Sequence, residues 1–90
     1  MLMYRLKDGF MVRKIGEQIM AVPTGKLTSE IHGMIALSES AEKLWQLLEK
    51  GAEIDELAFS LTELYEVEYP AALVDAQKFV DGLKEQGALQ

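Results

Sequence analysis

The stretch that decides the fold is MIALSESAEKLWQLLEKG, residues 34–51. It opens with four apolar residues, Met34, Ile35, Ala36 and Leu37, set between Gly33 and Ser38. A run this short fits a strand, since a helix needs about ten residues or more. At Ser38 the period changes. Ala41, Leu44, Trp45 and Leu48 fall at i, i+3, i+4 and i+7, one apolar stripe of an α-helix. Ser38 suits the cap, because its hydroxyl accepts from an N–H of the first turn that has no partner within the helix. Glu39 and Glu42 suit the positive end of the helix dipole, and Gly51 after Lys50 marks a left-handed stop. A strand therefore passes through one capping serine straight into a helix.

Upstream the chain reads as strands. Phe10–Ile15 and residues 18–22 are short and apolar or β-branched, with Gly16-Glu17 between them as a hairpin turn. Asp8-Gly9 marks a turn before them. Pro23-Thr24-Gly25 ends the second strand, since proline cannot donate to a ladder. Residues 26–33 read as a polar connection.

Downstream the 3.6-residue period recurs twice. Ile54, Leu57, Ala58, Leu61, Leu64 and Tyr65 stripe a second helix. A third has Pro70 in its first turn, where proline is tolerated, and a stripe of Ala72, Leu73, Ala76, Phe79, Val80 and Leu83 ending before Gly87. That stripe is wide on one flank, through Leu73 and Val80 towards Gln77 and Lys84; the width either packs the sheet or walls a groove. Val74 lies roughly opposite the stripe, where a polar residue is expected.

The order predicts one α+β domain over residues 1–90, a three-stranded antiparallel β-sheet followed by a three-helix bundle. Its sheet has two outer edges, and an outer strand leaves N–H and C=O groups open to an extended peptide.

Composition narrows the function. The 90 residues carry no cysteine, which excludes disulfides and thiolate metal sites. No apolar run approaches the roughly 20 residues of a membrane span, and Arg5, Lys7 and Asp8 precede any apolar run. No signal peptide or membrane contact is expected, and the cytoplasm is the expected address. Residues 1–33 hold five Lys/Arg against three Asp/Glu, whereas residues 34–90 hold four against twelve. Residues 53–68 contain six acidic residues and no basic one. Such a surface repels nucleic acid, whose affinity comes mainly from Lys/Arg on phosphates.

Few residues suggest chemistry. His32 is the single histidine, in a polar connection, with no second histidine or cysteine to share a metal. The carboxylates mostly occupy outward helix faces, and a solvated face explains them better than an acid/base pair. Ser38 and Ser40 have no histidine base nearby in sequence, and the glycines are isolated rather than clustered in a phosphate loop. No catalytic residue, metal or cofactor is expected.

The pattern resembles the PqqD family, pyrroloquinoline quinone biosynthesis protein D and its relatives, the RiPP precursor recognition elements. The resemblance rests first on residues 34–51: an apolar strand, Leu-Ser where the family commonly has Leu-Asn, a small residue, Trp45 with its flanking leucines, then Gly51. Glu56-Leu57, residues 64–67, Asp75, Phe79, Leu83, Gly87 and Leu89 also match, as do residues 9–15 and 17–23. Ile54 departs from the Thr or Ser that often opens the second helix; isoleucine cannot cap, at a cost of about 1 kcal/mol unless Glu53 substitutes. The resemblance implies a winged-helix-like domain, not an enzyme, that binds the leader segment of a ribosomal precursor peptide. The leader would add as a strand along Met34, Ile35, Ala36 and Leu37 and contact Leu73, Gln77, Val80 and Lys84. The implied second partner is a modifying enzyme, often of the radical S-adenosylmethionine type. An empty edge also permits a homodimer. Two rivals are a winged-helix DNA-binding protein and an accessory subunit that stabilises a larger enzyme.

Overall fold

The computed structural model describes residues 2–90; Met1, which the single-domain reading includes, lies outside them. The described chain runs β1 (Met3–Tyr4), β2 (Phe10–Ile15), β3 (Gln18–Pro23), a 3-10 turn (Gly25–Ser29), β4 (Ile35–Leu37), α1 (Glu39–Lys50), β5 (Ala52–Glu53), α2 (Ile54–Tyr65) and α3 (Tyr69–Glu85). It is the expected α+β architecture: an antiparallel sheet ordered β2-β3-β4 with three helices after it.

The β2–β3 hairpin turns on Gly16 and Glu17, with Ile15 paired to Gln18. Gly16 has φ +64°, and Glu17 has no positive φ. Glycine at the first central position is the pattern of a type II′ turn, whose twist matches that of the strands. Pro23 belongs to β3 rather than ending it, because it pairs with Phe10 past the last rung between β3 and β4, Ala21 with Ile35. Nothing there requires its missing N–H.

Met34 lies just before β4, not in it, and is exposed. Within the connection of residues 26–33 the chain makes the 3-10 turn and buries Leu27 and Ile31, anchors hidden among polar neighbours.

Ser38 caps α1, its Oγ accepting from the Ala41 N–H at 3.1 Å. Gly51 closes the helix at φ +97°, where its missing Cβ matters twice: a side chain would be strained and would meet the Met3 sulfur at 3.1 Å. At α2, Ile54 does not cap. Glu53 is the cap residue, and its N–H donates to Glu56 Oε1 at 3.0 Å, the return half of a capping box. Pro70 sits in the first turn of α3 as expected. Gly87, at φ +74°, ends the helix, its N–H donating to the Lys84 carbonyl while the Ala88 N–H reaches back to the Leu83 carbonyl.

The core lies between the sheet and the three helices. Leu44, Trp45 and Leu48 of α1 meet Leu57, Ala58 and Leu61 of α2, Ala72, Ala76, Val80 and Leu83 of α3, and Ala21, Ile35 and Leu37 from the sheet. Trp45 is 0 % exposed, and the Phe10 ring packs edge-on to it at 5.0 Å between centroids. The two-residue strands β1 and β5 pair as a second small sheet. Beside it, Lys7 donates to the Ala88 carbonyl and Gln90 to the Arg5 carbonyl, so both ends of the described chain are stitched together over Leu6 and Leu48.

Candidate functional site

The hairpin register fixes which backbone groups of β4 are free. A two-residue hairpin makes Ile15 and Gln18 a hydrogen-bonded pair, and such pairs alternate along an antiparallel ladder. Arg13–Met20 and Met11–Val22 follow, and the Thr24 N–H donates to the Gly9 carbonyl at 2.7 Å, one rung further in the same alternation. Gln18, Met20 and Val22 therefore turn their peptide groups to β2, and Ile19 and Ala21 turn theirs to β4. Their partners there are Leu37 and Ile35. Ala36 is left with its N–H and C=O facing the outer edge of the sheet.

The side chains of β4 divide the same way. Ile35 and Leu37 are buried, while Ala36 is exposed on the opposite face of the sheet. An added strand beside β4 would thus receive main-chain hydrogen bonds from Ala36 and continue the apolar surface of Ile35 and Leu37. By the same alternation Phe10, Val12 and Lys14 face the other outer edge, along β2.

A cavity of about 310 Å³ opens directly beyond the end of β4. Ser38 at the cap and Ala41 and Leu44 of α1 line it, with Tyr65 from α2, and Asp75 and Phe79 from α3. Most of its lining is apolar, with one carboxylate on the α3 side. It lies between the start of α1, the end of α2 and one flank of α3.

The α3 residues singled out in the sequence lie elsewhere on that helix. At about 100° per residue, Leu73, Gln77 and Lys84 share one side of α3, whereas Asp75 and Phe79 share the other. Lys84 Nζ lies 4.9 Å from the centroid of the Tyr4 ring. Tyr4 belongs to β1, paired with Ala52 just before α2, so the Lys84 side of α3 faces β1 and β5. Gln77 donates to Asp81 Oδ1 on its own helix at 2.9 Å, and Leu73 is half-buried against the core. Val80 is 0 % exposed, inside the core, and presents no side chain to any partner. None of the four lines the cavity beside β4. Its wall is Phe79 with Asp75.

Among the described residues, no three His, Asp or Glu side chains converge as a metal site. Among the same residues, no helix is long and apolar enough to cross a membrane. His32 is exposed, away from both cavity and core.

Residues 17–89 match the model of coenzyme PQQ synthesis protein D. The chain belongs to the PqqD family. Among curated proteins, none matches it. Two solved structures share its fold across nearly the whole length. A lasso peptide synthetase B1 complexed with the leader peptide is 26 % identical, with a TM-score of 0.75 over 97 % of this chain and 96 % of that one. TbiB1 in complex with the TbiA(beta) leader peptide is 19 % identical, with a TM-score of 0.74 over 96 % and 94 %. In this PqqD-family chain, Phe79 and Asp75 were visible as matches to the family pattern but not as a cavity wall. Helical spacing gives the angle between residues; it does not say which neighbour each angle faces.

Proposed function

We propose that this chain binds the leader segment of a ribosomally made precursor peptide and presents it to a modifying enzyme, performing no chemistry itself. The observation that carries the reading is the outward-facing peptide group of Ala36 at the open edge of β4, set next to the apolar cavity walled by Phe79. Strand addition suits this edge: main-chain bonds accept many extended sequences, while a side-chain pocket selects among them. Membership of the PqqD family supports the reading, as does likeness to a lasso peptide synthetase B1 complexed with the leader peptide.

The contact set follows the geometry. The backbone of Ala36, flanked by Met34 and Leu37, holds the leader, and Phe79 and Asp75 flank its side chains. In this proposal Leu73, Gln77 and Lys84, which do not line that cavity, and Val80, which is 0 % exposed, take no part. Carrying the leader keeps the core segment of the precursor at high effective concentration near the enzyme, which in this family is often of the radical S-adenosylmethionine type. Cytoplasmic action fits a substrate that leaves the ribosome unmodified.

The charge of the helices weighs against DNA. On α3, Asp75, Asp81 and Glu85 oppose Lys78 and Lys84, and α2 has no base at all. The direct test is titration of a labelled leader, taken from the precursor encoded beside this chain, against the parent and Ala36→Pro. The Ala36 N–H faces outward, so proline removes the donor offered to the leader and leaves the β3–β4 bonds in place. Circular dichroism checks that the fold survives. Binding by the parent that is lost in the folded variant supports the proposal; equal binding by both refutes strand addition at β4. Failure of the parent to bind any such leader refutes the function.

A further inference from the structure

α2 carries an aromatic where its period demands a polar residue. Leu57, Ala58 and Leu61 are its buried face, and at about 100° per residue Phe59 and Glu63 project on the opposite side. Phe59 is 58 % exposed and Tyr69, at the start of α3, is 41 % exposed. The two rings line an open groove of about 550 Å³ whose third apolar wall is Leu47 of α1. Carboxylates of Asp55, Glu56 and Glu63 rim it. Asp55 and Glu56 accept backbone hydrogen bonds at the start of α2. Glu63 makes no hydrogen bond or ion pair among the described residues, whose one salt bridge is Lys7–Glu30. This groove shares no lining residue with the cavity beside β4.

Charge decides what fits. A second copy meeting this face symmetrically sets the acidic rim against itself, because a two-fold contact pairs the same patch on both subunits. Nucleic acid and anionic lipid meet the same repulsion. A guanidinium suits the site in two ways: it stacks on an aromatic face and pairs with a carboxylate. We propose that the Leu47–Phe59–Tyr69 groove docks an arginine-bearing, apolar segment of the modifying enzyme. This rests on the leader-carrier reading and goes beyond it by assigning the enzyme a surface separate from the peptide edge. Leader and enzyme are then held at once, on different walls of one small domain.

The test uses the purified modifying enzyme encoded beside this chain, titrated in low and high salt against the parent, Phe59→Ser and Glu63→Lys. Both positions are solvent-facing, and melting curves confirm that each variant folds. The parent binds the enzyme, more weakly in high salt, and each substitution weakens that binding by about tenfold or more, as expected at an interface anchor. Leader affinity, measured in parallel, stays at the parental value in both variants. Enzyme binding that ignores both substitutions overturns the groove, as does a parental dimer in sedimentation that Phe59→Ser dissolves. If the parent binds leader but not enzyme, the docking surface alone falls. If it binds no leader, the leader-carrier reading falls.

Discussion

At the scale of single residues, Trp45 and Ser38 bear most on stability. Trp45 is fully enclosed, touching the sheet through Phe10 and the helices through its own stripe. Trp45→Ala should cost on the order of 3–5 kcal/mol by emptying the centre of a small core, enough to prevent folding in a domain of this size. The indole Nε1–H is buried and meets no protein acceptor among the described residues. Leaving such a donor unmade costs about 1–3 kcal/mol, so Trp45→Phe removes a liability along with some packing. Chemical denaturation should find the phenylalanine variant folded and much closer to the parent than the alanine variant. Ser38→Ala, losing the bond from the Ala41 N–H, should cost about 1 kcal/mol, read from the same curves. These positions were legible in the sequence because their signals are local: a tryptophan on an apolar stripe and a serine where the period changes. Leu27 and Ile31 were not legible. Each is one apolar residue in a polar stretch, and only the 3-10 turn directs them inward.

At the scale of elements, the helices and the order of the long strands follow from periodicity, and the short strands do not. Two residues, as in β1 and β5, cannot display a period, so their pairing is a product of tertiary closure rather than of local pattern. The start of α2 shows a similar limit. Isoleucine at its first position looked like a weak start, but the Glu53–Glu56 contact supplies the cap. Glu56→Ala should therefore destabilise the domain by about 1 kcal/mol, although the side chain is exposed and buries nothing. α3 carries the clearest lesson for the site. Its stripe fixed which residues are inward and drew attention to the wide Gln77–Lys84 flank, whereas the structure sets Lys84 over Tyr4 and puts Phe79, on the other flank, in one cavity with Ser38. The flanks now make opposite predictions. Phe79→Ala should weaken leader binding severalfold or more, whereas Lys84→Glu should leave it at the parental value. Isothermal titration of both variants decides between them, with circular dichroism as control because Phe79 is half-buried.

At the scale of the whole molecule, function follows from how surfaces are distributed. The sheet has two outer edges, and the chain treats them differently. β2 is long, carries Arg13 and Lys14, and turns the peptide groups of Phe10, Val12 and Lys14 outward. β4 is short, and the apolar cavity lined by Ser38 and Phe79 begins where it ends, so a peptide that runs on past Leu37 gains side-chain burial as well as main-chain bonds. The acidic helices weigh against nucleic acid, and the Phe59 groove lies apart from the cavity, so the proposed peptide and enzyme surfaces do not overlap. Charge asymmetry was plain in the sequence. The cavity beyond Leu37 was not, since it depends on three helices meeting there.

Amide hydrogen exchange by NMR, with and without the leader peptide, tests this most directly. In the free protein the Ala36 N–H faces the outer edge and should exchange rapidly, while Ile35 and Leu37, bonded to β3, are protected. Added leader should protect Ala36 strongly and change Ile35 and Leu37 little, leaving Val12 and Lys14 on the β2 edge as they were. Protection that appears at Val12 and Lys14 instead, with Ala36 still exchanging freely, would contradict the account.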